Sequence, residues 1–218
     1  MDPSVHADAL AARAQVVAGA LPPAEFRRRL LAVPAPQRDT WLDLVLGIDG
    51  VPEDSAELPR GCVPYLPCSV DVLLRMIEAA GVGERDVFVD VGAGLGRSLL
   101  LTHLLTRATA LGIEVQSHLA RAARALAAGL NLSRCSIDDG DASALTGSLA
   151  GGSVFFLYCP FSGQRLETLL DALESVASSR EIRICTVDLP LPPRSWLTRR
   201  ELPWGDLAMY RSRALAKC

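Results

Sequence analysis

The residues best placed to do chemistry lie in the run Val87-Phe88-Val89-Asp90-Val91-Gly92-Ala93-Gly94-Leu95-Gly96-Arg97. An apolar, β-rich segment ends on an acid and runs directly into three glycines spaced by one residue, and a helical sequence follows at once. Glycines let the backbone turn tightly and let a ligand approach where a Cβ would stand. The first turn of the following helix presents free N–H groups to a polar or anionic ligand. A glycine-rich strand-to-helix turn of this kind fits more than one nucleotide-like ligand.

Two details separate the ligands. The dinucleotide fingerprint wants a glycine at the sixth loop position, where this chain has Arg97. Asp90 stands two residues ahead of the first glycine, where a carboxylate repels a pyrophosphate but suits an ammonium group. S-adenosylmethionine carries that ammonium and no phosphate. A nicotinamide-dependent oxidoreductase is therefore the weaker reading, and Asp90 as a helix cap or structural acid is the bland one. Two further acids follow the next two strand-like segments. Leu111-Gly112-Ile113-Glu114 ends on an acid about where ribose hydroxyls are held in such folds. Asp139-Gly140-Asp141-Ala142 offers Asp141 as an acceptor for an exocyclic adenine amine, with Asp138 or Asp139 as alternative turn residues.

The elements that must position these residues are legible as periodicity. Residues 4–47, rich in Ala, Leu and Arg with prolines at 22, 23, 34 and 36, read as two or three helices. Residues 48–67 read as a connecting loop. A helix follows, with Ser69 as N-cap, apolar positions at Val72, Leu73, Met76, Ile77 and Ala80, and Gly81 past its end. Strands are then expected at 86–91, 109–114, 134–138, 153–158 and 182–188. They alternate with helices running to about 107, over 117–129 and over about 163–178. That alternation implies βαβ units and a mostly parallel sheet. Segments 196–202 and 207–212 flank Pro203-Trp204-Gly205, and a connection that short requires an antiparallel pair.

Together, three acids after three successive strands resemble the class I S-adenosylmethionine-dependent methyltransferases, over roughly Tyr65 to the C-terminus. The resemblance implies an α/β, Rossmann-like, seven-stranded mostly parallel sheet with an antiparallel C-terminal hairpin (residues 61–218), preceded by a helical extension and linker (residues 1–60). It implies that Asp90 with Gly92, Ala93, Gly94 and Gly96 holds the methionine part of the cofactor. Glu114 would hold the ribose and Asp141 with Ala142 the adenine, with Val115 a further cofactor contact. In this family the end of the fourth strand faces the methyl group and the acceptor. Here it reads Tyr158-Cys159-Pro160-Phe161, which is similar to the Asn-Pro-Pro-Tyr motif of amino-methylating enzymes, although the leading Asn is absent. It also resembles the fourth-strand motif of the Dot1-like protein-lysine branch, as does Tyr65-Leu66-Pro67. Tyr158, Cys159 and Phe161 are thus the expected acceptor-positioning residues, with Tyr158 also beside the cofactor and Tyr65 in a lid over it. Ordinary core packing is the alternative for Phe161. Cys159 has no His partner in sequence for nucleophilic work.

The expected activity is methyl transfer from S-adenosylmethionine to a small molecule or a protein side chain. The competing reading is a non-catalytic S-adenosylmethionine-binding regulator or subunit, since the fourth-strand motif is non-standard. A net charge of −3 with 5% aromatics disfavours nucleic acid as partner. No apolar stretch approaches the roughly 20 residues needed to span a bilayer. The three histidines and six cysteines show no metal-ligand spacing, so no metal is expected. Without a secretory signal the cysteines suit a reducing cytoplasm. The C-terminal basic residues Arg194, Arg199, Arg200, Arg211, Arg213 and Lys217 have only Glu201 and Asp206 nearby in sequence, and read as a solvated edge or a docking surface for an acidic partner. The N-terminal helices are expected to cap the site, with packing or homodimerisation as their alternative role.

Overall fold

A computed structural model describes residues 2–56, 58–144 and 146–213. Lys217 and Cys218 lie outside the described residues. Three helices open the chain, α1 (Pro3–Val17), α2 (Pro23–Ala32) and α3 (Arg38–Leu46), with a 3-10 turn at Ala35–Gln37. After an irregular segment come α4 (Val70–Ala80), β1 (Val87–Val91), α5 (Arg97–Thr106), β2 (Thr109–Glu114), α6 (Ser117–Gly129) and β3 (Cys135–Asp139). The chain continues through α7 (Thr146–Leu149), β4 (Val154–Tyr158), α8 (Gln164–Ala177), β5 (Arg183–Val187), β6 (Leu197–Arg200) and β7 (Leu207–Ser212).

The sheet order is β3-β2-β1-β4-β5-β7-β6. Strands β1 to β5 are parallel, and β7 lies antiparallel to both β5 and β6. The tight hairpin and the mostly parallel sheet expected from sequence are both present. Helix α4 begins and ends as its caps dictate: the Ser69 hydroxyl accepts the Val72 N–H, and Gly81 takes a left-handed φ of 60°. The four-residue α7, Thr-Gly-Ser-Leu, has no expectation behind it, because one turn is too short to show a period.

Alternate side chains of the central strands feed two cores. Phe88, Val154 and Phe156 point to one face, while Val89, Val91, Phe155 and Leu157 point to the other, beneath α8. On the first face lies α5, whose Arg97–Leu105 segment is buried on every side. A helix buried on every side must be covered on its outer face as well. The N-terminal helices do this, and Phe26, Leu30, Trp41 and Leu42 join the same core as the sheet. Phe26 and Trp41 meet edge-to-face at 5.5 Å, and the Trp41 indole N–H donates to Asp8 at 2.9 Å.

At the C-terminal basic edge Arg199, Arg200, Arg211 and Arg213 are exposed, as in a solvated edge, while several of its ion-pair partners come from outside the sequence neighbourhood. Arg194 pairs with Glu167 and Asp171 of α8, Arg211 pairs with Glu181 at 2.9 Å, and Asp206 is taken by Arg75 of α4 at 2.9 Å. The sequence neighbourhood hid these acids because they come from other elements packed against the edge.

Candidate functional site

Strand order reverses at β1, between β2 and β4, and a crevice opens there at the strands' carboxyl ends. The site is built on that crevice. Gly92, Gly94 and Gly96 all have left-handed backbones, with φ of 81°, 53° and 75°. Gly92 is also forced by space, since a Cβ would lie 2.8 Å from the Pro160 side chain. Gly96 caps α5, and the loop folds back so that the N–H groups of Gly92 and Ala93 donate to the Ile113 carbonyl at 2.9 and 3.1 Å.

Asp90 and Glu114 both sit buried in this crevice, 3% and 5% exposed. Burial pushes the Asp90 carboxyl up to about 7; the Ser98 hydroxyl, which donates to it, pulls the other way, and the Glu114 charge adds to the rise. Burial also raises Glu114, opposed by the N–H groups it accepts: Gly94 at 2.8 Å and Gln116 at 2.8 Å. The second acid therefore braces the glycine loop, and with two hydrogen bonds used it keeps lone pairs for a ligand. Burial raises Asp141 as well, but bonds from the Ser143 N–H and hydroxyl and from Arg165 hold it below the usual carboxylate range. Of its neighbours, Asp139 accepts the Ser117 hydroxyl at 2.9 Å and Asp138 accepts the Ser148 hydroxyl at 2.5 Å.

A cleft with about 100 Å³ of free volume joins most of the expected residues: Tyr65, Gly92, Glu114, Val115, Asp141, Ala142, Tyr158, Cys159 and Phe161. Asp90 and Ala93 lie instead around a second, smaller space of about 20 Å³, shared with Ser98, Tyr65 and Tyr158. Tyr65 lines both. Its ring lies across the loop, such that a Cβ on Gly94 would stand 2.1 Å from the Tyr65 ring. Burial raises its hydroxyl pKa to about 12. Tyr65 thus stands between the larger cleft and the Asp90 side of the crevice.

The irregular segment before α4 is a strap across this crevice. At one rim, Gln116 receives the Ser55 N–H at 2.7 Å and donates to Asp54 at 2.7 Å, and Asp54 also accepts the Tyr65 N–H at 2.8 Å. His118 bonds the Glu53 carbonyl at 2.9 Å. At the other rim, Cys62 bridges Phe161, the Val63 N–H donates to the Pro160 carbonyl at 3.2 Å, and Arg165 holds the Arg60 carbonyl at 3.0 Å. Gln116, Asp54 and Arg165 carry no motif, and only the fold brings them together.

Arg97 borders only the smaller, Asp90-side space of the crevice. Its side chain, 5% exposed, runs back into α3, bonding Asp39 and Asp43 at 2.7 Å each and the Cys68 carbonyl. Asp39 also accepts the Val70 N–H at the start of α4, at 2.9 Å. One guanidinium therefore ties three helices together at the point where the glycine loop ends. Arg97 was informative in the sequence as a missing glycine; its role in the structure is this junction.

At the end of β4, Tyr158 is half-buried, and Cys159 has a left-handed φ of 42°. Burial raises the Cys159 thiol pKa. Its Sγ donates to the carbonyls of Val187 and Asp188 at 3.3 and 3.1 Å, so it acts as a local brace and not as a nucleophile. Phe161 is 5% exposed and belongs to the core beneath α8, while also walling the cleft.

Scans with family models and against curated proteins find no match. Solved structures do match. An RNA methyltransferase from Salinibacter ruber, in complex with S-adenosyl-L-homocysteine, is 22% identical with a TM-score of 0.55, covering 70% of this chain and 96% of that one. A provisionally assigned methyltransferase from Escherichia coli is 20% identical with a TM-score of 0.53, covering 72% and 91%. Precorrin-6y C5,15-methyltransferase from Geobacter metallireducens is 13% identical with a TM-score of 0.51, covering 70% and 92%. With the strand order and the antiparallel hairpin, these likenesses identify the fold as that of the class I S-adenosylmethionine-dependent methyltransferases.

Proposed function

We propose that this protein binds S-adenosylmethionine and transfers its methyl group to a small-molecule or protein acceptor at the end of β4. The observation that carries this reading is the pair of buried acids bracketing the glycine loop, Asp90 on one side and Glu114 on the other. A buried carboxylate with a single hydroxyl donor calls for a positive partner, and the cofactor's ammonium supplies one. Glu114 has lone pairs left for ribose hydroxyls. Asp141 keeps little capacity beyond Ser143 and Arg165, so Gly140, Ala142 and Val115 supply mainly shape on the adenine side.

The cofactor brings an already activated methyl on a sulfonium, so the protein's task is positioning and exclusion of water. Tyr158 and Pro160 line the cleft where the acceptor enters, and the strap excludes solvent from above. Ligand sites usually offer about 300–1,000 Å³, well above the 100 Å³ free here. Binding therefore displaces Tyr65 from the loop and lifts part of the strap, which then closes over the ligand. A homodimer through the N-terminal helices remains a proposal for solution measurement.

Calorimetric titration with S-adenosylmethionine, S-adenosylhomocysteine and NAD(H) tests the reading. Micromolar binding of both sulfur nucleosides with no response to NAD(H) is expected. The opposite pattern refutes it. Binding without transfer to any acceptor supports the regulator reading instead.

A further inference from the structure

Helix α6 opens on Gln116, at the position where a short polar side chain ordinarily accepts an N–H of the first turn. The Gln116 side chain makes no such cap. It lines the larger cleft instead, and the residue is 4% exposed. Its Oε1 accepts the Ser55 N–H at 2.7 Å, and its Nε2 donates to the Asp54 carboxylate at 2.7 Å. A side-chain amide has one accepting and one donating end, so these two partners fix which way it points.

The bonds close a ring around the glycine loop. The Gln116 N–H donates to Glu114 Oε1 at 2.8 Å, and the Gly94 N–H donates to Glu114 Oε2 at 2.8 Å. The Tyr65 ring lies on Gly94. The Tyr65 N–H donates at 2.8 Å to the same Asp54 oxygen that Gln116 holds. Glu114, Gln116, Asp54, Tyr65 and Gly94 thus each touch the next. The neighbouring stretch is held separately, since residues 61–63 bond residues 160–162 and the Arg60 carbonyl bonds Arg165. From the α6 side, the Asp54 carboxylate keeps Tyr65 on the loop, and the Gln116 amide keeps Asp54 in place. An amide N–H on a carboxylate is a charge-assisted bond, roughly twice as strong as a neutral one.

We propose that Gln116 is a positioning residue: through Asp54 it holds Tyr65 against the glycine loop, and so sets how fast the cofactor enters and leaves. The word cofactor rests on the methyltransferase reading above, whereas the hold on Tyr65 does not.

Amide hydrogen exchange of the full chain without ligand tests that hold, read at the Tyr65 N–H against the amides of β1. Gln116→Glu keeps the shape and the acceptor for Ser55 but sets a second carboxylate against Asp54. Gln116→Met keeps the length and removes both side-chain bonds. Tyr65 exchange is expected to quicken at least about tenfold in each, with β1 unchanged. In Asp54→Asn/Gln116→Glu the amide and the carboxylate change places, and exchange is expected to return to within about threefold of the wild type. An unchanged Tyr65 rate in both single variants, or a double variant no slower than Gln116→Glu, overturns the proposal. Quickening shared equally by β1 overturns it too, because it marks general loosening. If Gln116→Glu does not fold, Gln116→Met decides. Stopped-flow mixing with S-adenosylhomocysteine then reads passage: association and dissociation are both expected to quicken at least about tenfold in Gln116→Met, and unchanged rates refute the control of passage. Failure of the wild type to bind S-adenosylhomocysteine refutes the cofactor reading instead, and Tyr65 exchange still decides Gln116.

Discussion

Neutralising the two acids around Arg97 should destabilise the protein more than removing Arg97 itself. The guanidinium is 5% exposed, while its partners Asp39 and Asp43 are 49% and 33% exposed. Breaking a fully buried ion pair by removing one partner costs about 3–5 kcal/mol, mostly because the charge left behind cannot reach water. In Arg97→Met the apolar stem survives and the orphaned carboxylates rehydrate, so solvent screening discounts the loss to about 2–3 kcal/mol. In the double variant Asp39→Asn/Asp43→Asn the orphan is the buried guanidinium. The amide oxygens keep some hydrogen bonds but none of the compensating charge, so the full loss of about 3–5 kcal/mol applies. Urea unfolding followed by the fluorescence of buried Trp41 reads both. With a slope of about 2–3 kcal/mol per molar for a domain of this size, the midpoints should fall by roughly 1 M for Arg97→Met and by more for the double variant. If Arg97→Met is as damaging as the double variant or worse, the burial asymmetry is not what sets the energy of this junction. If neither moves the midpoint, the junction does not hold the N-terminal helices at all.

The crevice carries its own predictions. Gly94→Val should drive a side chain into Tyr65, whose ring already lies 2.1 Å from the position of a Cβ, and should strain a φ of 53°; calorimetry should show S-adenosylhomocysteine affinity falling at least tenfold. Tyr65→Ala should speed association of S-adenosylhomocysteine in stopped-flow mixing by about tenfold, because a ligand no longer waits for a half-buried ring to leave the loop; an unchanged rate would show that Tyr65 is no barrier. Since burial raises Asp90 to about 7, cofactor affinity should climb as pH rises toward about 7 and the carboxyl ionises, a slope that Asp90→Asn should flatten. The stability effect has the opposite sign. A raised folded pKa means the folded state binds more protons between about 4 and 7, so this group's contribution to stability is greatest in acid and is lost as pH rises through that window. Denaturation midpoints should therefore show Asp90→Asn gaining on the wild type from acid to neutral pH.

The hairpin, the helix from Ser69 to Gly81, the strand-to-helix glycine turn and the acids at 90, 114 and 141 could all be read from the chain alone. Each rests on a local rule: alternation at period two or 3.6, a cap residue beside the turn it caps, or a glycine where the backbone must turn. The acid and arginine flanking the glycines also narrowed the ligand class, because a charge at a strand end acts on whatever occupies that turn. What the chain alone left open depends on residues far apart in sequence. Arg97 meets Asp39 across 58 positions and Asp43 across 54, and Gln116 meets Asp54 across 62. The docking of Tyr65 on Gly94 and the bonding of Cys159 to the Asp188 carbonyl likewise leave no periodic trace. Such pairings arise when packed elements bury a charge or an amide and the nearest complementary group must satisfy it. So the glycine turn and the acids that follow three successive strands were written in local order, whereas the strap over the crevice and the junction behind it were decided by which surfaces the tertiary fold brought into contact.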